Sequence, residues 1–456
     1  MATARTDGTA LPRSRFAAPT RGGMGAVICL VVAVAVPAVE LRAQESPPAK
    51  TLADCIALAL DNHPRLKAAA ATAAAGAARA RQALANYLPQ VSATYSANRR
   101  NTSAAAGTGT NLGTQADTFN FYSTGVSFSQ LLFDFGQALH GIRAARANQQ
   151  ALAADATSER EIVIVTVKRA YFDLLAARRL LAVAEQTVRQ SQQQLELAHG
   201  RFDVGLAPKF DVTRAQVQLA SAELNQLTAR NNVALARETL ANALGLTGAL
   251  DFEILDTLDA HELHVSESEA LAAAYDHRPE LHSLRAQQLA ATEQVAALQT
   301  RYLPYVTGGG NYTWTGSDYP LQSSWNLGAS VNLSIFNGGL TAAQIGEAKA
   351  NLSQVQFTAE VTRQTIALEV RQAALNLEQA AESIRVSEKG EQQARENLEL
   401  ATGRYHAGVG SIIELTDAQA AFTSAEASHV QSLYSYQTAV AALEKATAVP
   451  YTAAVR

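Results

Sequence analysis

Two stretches of this sequence are near copies of one another, 203 positions apart. The first runs Leu195-Glu-Leu-Ala-His-Gly-Arg-Phe-Asp-Val-Gly205 and continues to Asp211-Val-Thr-Arg-Ala-Gln216. The second runs Leu398-Glu-Leu-Ala-Thr-Gly-Arg-Tyr-His-Ala-Gly408 and continues to Glu414-Leu-Thr-Asp-Ala-Gln419. A long helical pattern precedes each copy and another follows it. Gly200 and Gly205, like Gly403 and Gly408, can take the positive φ that ends a helix and reverses the chain. Each copy therefore predicts the tight tip of a long helical hairpin. A chain of 456 residues would ordinarily suggest about three domains. The duplication points instead to two similar halves of one architecture. The composition agrees: 48% hydrophobic but 6% aromatic, with alanine abundant. Alanine favours helices and lets them approach closely.

Other punctuation is doubled too. Asp61-Asn-His-Pro64 interrupts a short helical pattern over Thr51–Leu60, and Asp276-His-Arg-Pro279 repeats the break. Proline suits the first residue of the helix that follows. Each of these helices runs to a second proline, at Tyr87-Leu-Pro89 and Tyr302-Leu-Pro304. There the period changes from helical to alternating. Val91, Ala93 and Tyr95 alternate with Ser92, Thr94 and Ser96; Tyr312 and Trp314 alternate with Asn311, Thr313 and Thr315. Polar stretches follow, Asn101–Asp117 and Gly316–Ser323, and then return strands at about Phe119–Phe133 and Trp325–Phe336. The pattern fits membrane strands with one face to lipid and one to a lumen. It fits a half-buried soluble hairpin equally well. The second hairpin is the shorter, which places the difference in the loop at 101–117.

From Gln137 to Gly200, and from Leu340 to Gly403, proline is absent and glycine rare. Each is a helical segment of roughly 95 Å at 1.5 Å per residue. Return helices are expected over Asp211–Leu244 and Glu414–Thr447. They are shorter, so the Pro64–Asn86 type of helix stacks end to end with them. The boundaries are then repeat 1 over 51–248, with a hairpin at about 89–133, a linker over 249–265, and repeat 2 over 266–449, with a hairpin at about 304–336. The linker holds His261 and His264, read as a solvated pair because a metal site needs further ligands.

The N-terminus carries Arg13, Arg15 and Arg21, then an apolar run from Ala26 to Val39. That run is too short to span a bilayer and fits a secretory signal peptide over 1–43. Cys29 lies inside the run, so no lipid anchor is expected. Cys55 alone would remain, leaving no internal disulfide. The whole chain is −4, and the leader holds five arginines and two acids, so the rest is about −7. No surplus of positive charge remains for nucleic acid. Phosphate loops, nucleophile elbows and Cys/His ligand spacings are missing, so no cofactor, no metal and no enzymatic activity are expected.

The doubled Gly-Arg-aromatic-x-x-Gly tip, the doubled Tyr-Leu-Pro and the signal peptide together resemble the TolC-like outer-membrane efflux protein family (outer membrane factors), over about Thr51–Val449. The resemblance implies a mainly α chain with transmembrane β: a homotrimer whose twelve-stranded outer-membrane β-barrel continues into a long periplasmic α-helical barrel, with two internal repeats per protomer. It implies an exit duct of a tripartite efflux pump or type I secretion system. Partners would be a periplasmic adaptor (membrane fusion) protein, an inner-membrane pump or secretion ATPase, and outer-membrane lipid. By the same resemblance Arg201, Gly205, Leu206, Arg404, Gly408 and Val409 would meet the adaptor, and Asp211, Tyr405, Glu414 and Asp417 would form the periplasmic entrance gate. The family's namesake has an arginine in this network where this chain has Gly410. On the residues alone, Arg201 and Arg404 also suit a helix C-terminus, and the acids suit a first helical turn. A soluble periplasmic coiled-coil structural protein is the competing reading.

Overall fold

The computed structural model describes residues 49–102, 117–248, 250–258, 263 and 265–451. The expected signal peptide, most of the loop at 101–117, and His261 and His264 lie outside the described residues.

Thr51 caps the first helix, α1 (Leu52–Asn62), through a capping box: its Oγ1 accepts from the Asp54 N–H and the Asp54 carboxylate accepts from the Thr51 N–H. His63 interrupts the chain, and Pro64 opens α2 (Pro64–Ala85). The second half has the same sequence of parts. α5 (Glu267–His277) stops at Arg278, and Pro279 opens α6 (Pro279–Gln299). The long helices are α3 (Gln137–Asp203) and α7 (Leu340–His406), 67 residues each, or about 100 Å. Their return partners are α4 (Lys209–Ala243) and α8 (Ile412–Thr447).

The short helices stack on the return helices. α4 ends in Gly245 at φ 74°, so close to the α1–α2 break that a Cβ there would stand 2.8 Å from the Cα of His63. At the other junction, the buried Arg278 donates to the Lys445 carbonyl in the last turn of α8. The helices therefore form four columns. α3 packs on α4 and α2 to one side and on α8 and α6 to the other, and α7 packs on α8 and α6. The α4–α2 column and α7 are left at the two edges. Their outward faces carry apolar residues at heptad spacing: Phe210, Val217 and Leu224 on α4, and Val361, Leu368 and Leu375 on α7. Among the described residues no helix is long and apolar enough to cross a membrane.

Strands β2 (Gln90–Thr102), β3 (Asp117–Phe133), β5 (Tyr305–Gly316) and β6 (Gln322–Asn332) form one antiparallel sheet in the order β2-β3-β5-β6. The register puts like with like. Across one face run Val91, Phe128, Gly310 and Leu327, then Ala93, Val126, Tyr312 and Trp325. Across the other run Ser92, Ser127 and Asn311, then Gly125, Thr313 and Ser324. Hydroxyls meet on this polar face: Ser92 with Ser127 at 2.7 Å, Thr313 with Ser324 at 2.9 Å. The apolar face is bare, Trp325 and Leu327 both 73% exposed. Among the described residues, both edge strands lack a partner beyond the sheet.

Three expectations need correction. The second return strand was expected to reach Phe336 but ends at Asn332, which pairs with Tyr305. β5 begins there, just after Pro304, so Leu333, Ile335 and Phe336 have no rung to join. The helices pass Gly200 and Gly403 and turn only at Gly205 and Gly408. The linker is not simply solvated. Its β4 (Glu253–Ile254) pairs in parallel with β1 (Ala49–Lys50), and Leu250, Phe252, Ile254 and Leu258 are buried against α3 and α4. Arg179 grips Asp256 with two hydrogen bonds, and Arg178 and Arg237 both reach Glu253.

Candidate functional site

Each tip closes by the same backbone device. Gly205 at φ 77° donates its N–H to the Phe202 carbonyl, and the Leu206 N–H reaches the Arg201 carbonyl at 2.8 Å. Gly408 at φ 78° donates to the Tyr405 carbonyl, and the Val409 N–H reaches the Arg404 carbonyl at 3.0 Å. This paired 5→2 and 6→1 pattern needs a left-handed residue at its centre, which is why glycine stands there. It ends both helices three residues beyond Gly200 and Gly403. Leu206 and Val409 then project outward, 73% and 69% exposed, with Val204 and Phe210 exposed beside them. α8 starts on Ser411, whose Oγ accepts from the Glu414 N–H at 3.2 Å.

The two tips are joined by arginine. Arg201, at the end of α3, donates from Nη1 to the Tyr405 carbonyl, and its guanidinium lies 4.8 Å from the Tyr405 ring centroid. Its Nη2 would touch a Cβ placed on Gly408, at 3.2 Å. Tyr405 is buried with Ile412, Leu415, Leu197 and Leu398. Burial pushes its phenol above the usual tyrosine range, the Asp211 charge pushes the same way, and Arg201 opposes both. A second crossing runs from α4 to α8. Arg214 approaches the Asp417 carboxylate at 3.5 Å and donates to Thr416 Oγ1 at 3.2 Å. Higher up, α3 meets α8 through amides and hydroxyls, with Gln419 donating to Gln190 and Thr187 meeting Thr423 at 3.2 Å.

Of the residues singled out from the sequence, Arg201, Tyr405 and Gly408 come together, with Asp211 beside the tyrosine. Glu414 and Asp417 are solvent-facing and each has a cation, Arg404 at 3.4 Å and Arg214 at 3.5 Å. Arg404 stays within its own hairpin; Arg201 crosses between hairpins. Gly410 is closed to a side chain in this conformation. A Cβ there would stand 3.0 Å from the Arg404 carbonyl carbon, Arg404 Cβ and the Tyr405 nitrogen. The arginines that hold the tips come instead from α3 and α4. Arg214 was missed, although its repeat position is that of Asp417, and opposite charges at equivalent positions were visible in the sequence.

The comparisons fit this geometry. A family model described as Outer membrane efflux protein matches residues 55–246 and 270–449. The chain belongs to that family. Among curated relatives it is 25% identical over 365 residues to the Brucella suis outer membrane efflux protein BepC, covering 79% of this chain and 77% of that protein. It is 29% identical over 415 residues to protein CyaE of Bordetella pertussis, covering 87% and 84%. Among solved structures its fold is similar to the Campylobacter jejuni CmeC outer membrane channel, with TM-score 0.78, 21% identity, and coverage of 87% and 85%. The open state of the Neisseria gonorrhoeae MtrE outer membrane channel gives TM-score 0.75 at 21% identity, covering 88% and 89%.

Proposed function

We propose that this outer-membrane efflux family member is one protomer of a trimeric export channel, its sheet in the outer membrane and its helices in the periplasm. The observation that carries the reading is the sheet. A four-stranded sheet with one polar face, one bare apolar face and two open edges is unstable in water. It is satisfied when three copies close a twelve-stranded barrel with lipid outside and water inside. Tyr87, Phe133, Tyr302 and Tyr305 cluster at its helical end and Tyr95, Tyr122 and Tyr319 at its far end, as interfacial aromatics do. The competing reading, a soluble coiled-coil protein, leaves Trp325, Leu327 and Val331 in water without a reason.

The helical edges support the same assembly. The heptad stripe on α7 of one protomer would cover α4 and the alanine-rich α2 of the next. Each protomer then contributes two repeats, 51–248 and 266–449, around the linker. Solutes would pass without an energy source in this chain, which an inner-membrane pump or secretion ATPase would supply. The exposed Val204, Leu206 and Val409 would meet a periplasmic adaptor, while Asp211, Tyr405, Glu414 and Asp417 would shape the entrance. Purified protein in detergent should be a trimer by light scattering and should form channels in planar bilayers. A monodisperse monomer would overturn the reading.

A further inference from the structure

The four strands carry charged residues at three positions, Arg99, Arg100 and Asp117, all at the end remote from the helices. Ten residues separate Gln90 from Arg100 along β2, about 33 Å at the rise of a strand. Up to that point the polar face is mostly Ser, Thr, Gly, Asn and Gln, without a charge. The pairs Thr94↔Gly125 and Ser96↔Ser123 are typical. Then the lining changes: Asn98 pairs with Phe121 and Arg100 with Phe119. The Arg100 guanidinium sits 4.1 Å over the Phe121 ring. Strand alternation puts Arg99 on the opposite, apolar face, beyond Tyr95.

A guanidinium stacked on a ring keeps its charge, is weakly hydrated and offers a planar fork to carboxylate, sulfonate or phosphate. Phe119 and Phe121 add apolar contact suited to an aromatic body. Around a closed barrel this patch occurs three times, where the lumen opens outward. Its charge is opposite to that of the Glu414 and Asp417 carboxylates at the tips. We propose that Arg100, stacked on Phe121 and flanked by Phe119, forms a weak binding site for aromatic organic anions at the outer mouth of the lumen. The inference rests on the channel reading and adds to it a chemical class of solute that the exit holds transiently.

The test uses the full-length trimer in planar bilayers with 1,5-naphthalenedisulfonate added to one side at a time. The wild type should be blocked from one side only, and more weakly by sulfate, which has the charge without the ring. Arg100→Gln should weaken the block about tenfold and Phe121→Leu about threefold. Arg99→Gln removes the same charge from the other face and should leave the block unchanged. Equal block of wild type and Arg100→Gln, or equal loss in Arg99→Gln, overturns the site while leaving the channel intact. Absence of conductance in the wild type overturns the channel reading itself.

Discussion

Removing Arg201 should open the entrance. In this structure its guanidinium is the polar contact α3 makes at the turn of the second tip, beside the packing of Leu197 on Tyr405. It donates to the Tyr405 carbonyl and covers the Tyr405 ring. Truncation to alanine deletes a charge-assisted hydrogen bond, worth about 1.5–3 kcal/mol, and a cation–ring contact, worth about 0.5–1 kcal/mol where solvent is near. The carbonyl is not orphaned, because it also accepts from the Gly408 N–H at 3.1 Å, so the net loss lies low in that range. About 2 kcal/mol per protomer becomes about 6 kcal/mol if three tips open together. Moving a two-state equilibrium from 1:99 to 99:1 takes about 5.5 kcal/mol. Arg201→Ala channels should therefore dwell in a high-conductance state that the wild type visits rarely. Arg201→Lys keeps the charge but not the planar fork and should fall between. Single-channel recording reads both, beside a check that the variants assemble like the wild type. Wild-type conductance from normally assembled Arg201→Ala channels would refute the idea that this contact closes the entrance.

Replacing Glu414 and Asp417 together with alanine should reduce cation preference and multivalent-cation block in the same recordings, whereas Arg214→Ala, which unmasks Asp417, should raise both. Gly408→Ala should lower the thermal midpoint more than Gly205→Ala: both force a side chain into left-handed backbone, about 1 kcal/mol or more, but only the first meets Arg201. Lys168→Met removes the ammonium paired with the buried Glu444 carboxylate and should cost about 3 kcal/mol in unfolding experiments, with Lys168→Met/Glu444→Leu recovering most of it. Burial pushes the Glu161 carboxyl above its ordinary value of 4.5, against the pull of Arg160 and Lys168. An acid whose folded value is raised favours folding fully below its unfolded value, and that contribution is lost as pH rises through the folded one. Glu161→Gln should therefore flatten the fall in melting temperature as pH rises above the ordinary carboxylate range.

The fold was legible wherever backbone chemistry forces a residue type. Pro64 and Pro279 open helices because each sacrifices no hydrogen bond at that position, and both prolines are plain in the sequence. The alternation along β2 and β3 read correctly for a related reason, since a period of two has a single structural meaning once the flanking helices stop. Gly200 and Gly403 misled because a helix can run through a glycine. Only the hydrogen-bond pattern around Gly205 and Gly408 separates the closing glycine from the tolerated one. The linker misled because Leu250, Phe252 and Ile254 are too few to signal a strand, and their burial depends on a partner, Ala49–Lys50, some 200 positions away. The candidate site was legible as a set of positions but not as a set of pairs. Nothing in spacing says that Arg201 reaches Tyr405 while Arg404 stays with Glu414.

The pairs follow from the duplication once the halves are set side by side. Two identical hairpins packed tip to tip would bring equivalent positions near one another, and equivalent positions carry like charges. An arginine at both 214 and 417 would repel across the seam. The chain has Arg214 and Asp417, and the repulsion becomes a 3.5 Å ion pair. Arg201 and Arg404 are equivalent and both cationic, and here the conflict is resolved by direction: one turns across to the other hairpin's carbonyl, the other back to Glu414. Ala207 and Gly410 are equivalent, and the loss of the methyl is what lets the 410 backbone close on Arg404. The differences at these three pairs of positions fall where the halves meet or where the second tip turns. The polar contacts of the seam stand beside a small apolar cluster in which Leu197 of α3 packs with Tyr405, Ile412, Leu415 and Leu398.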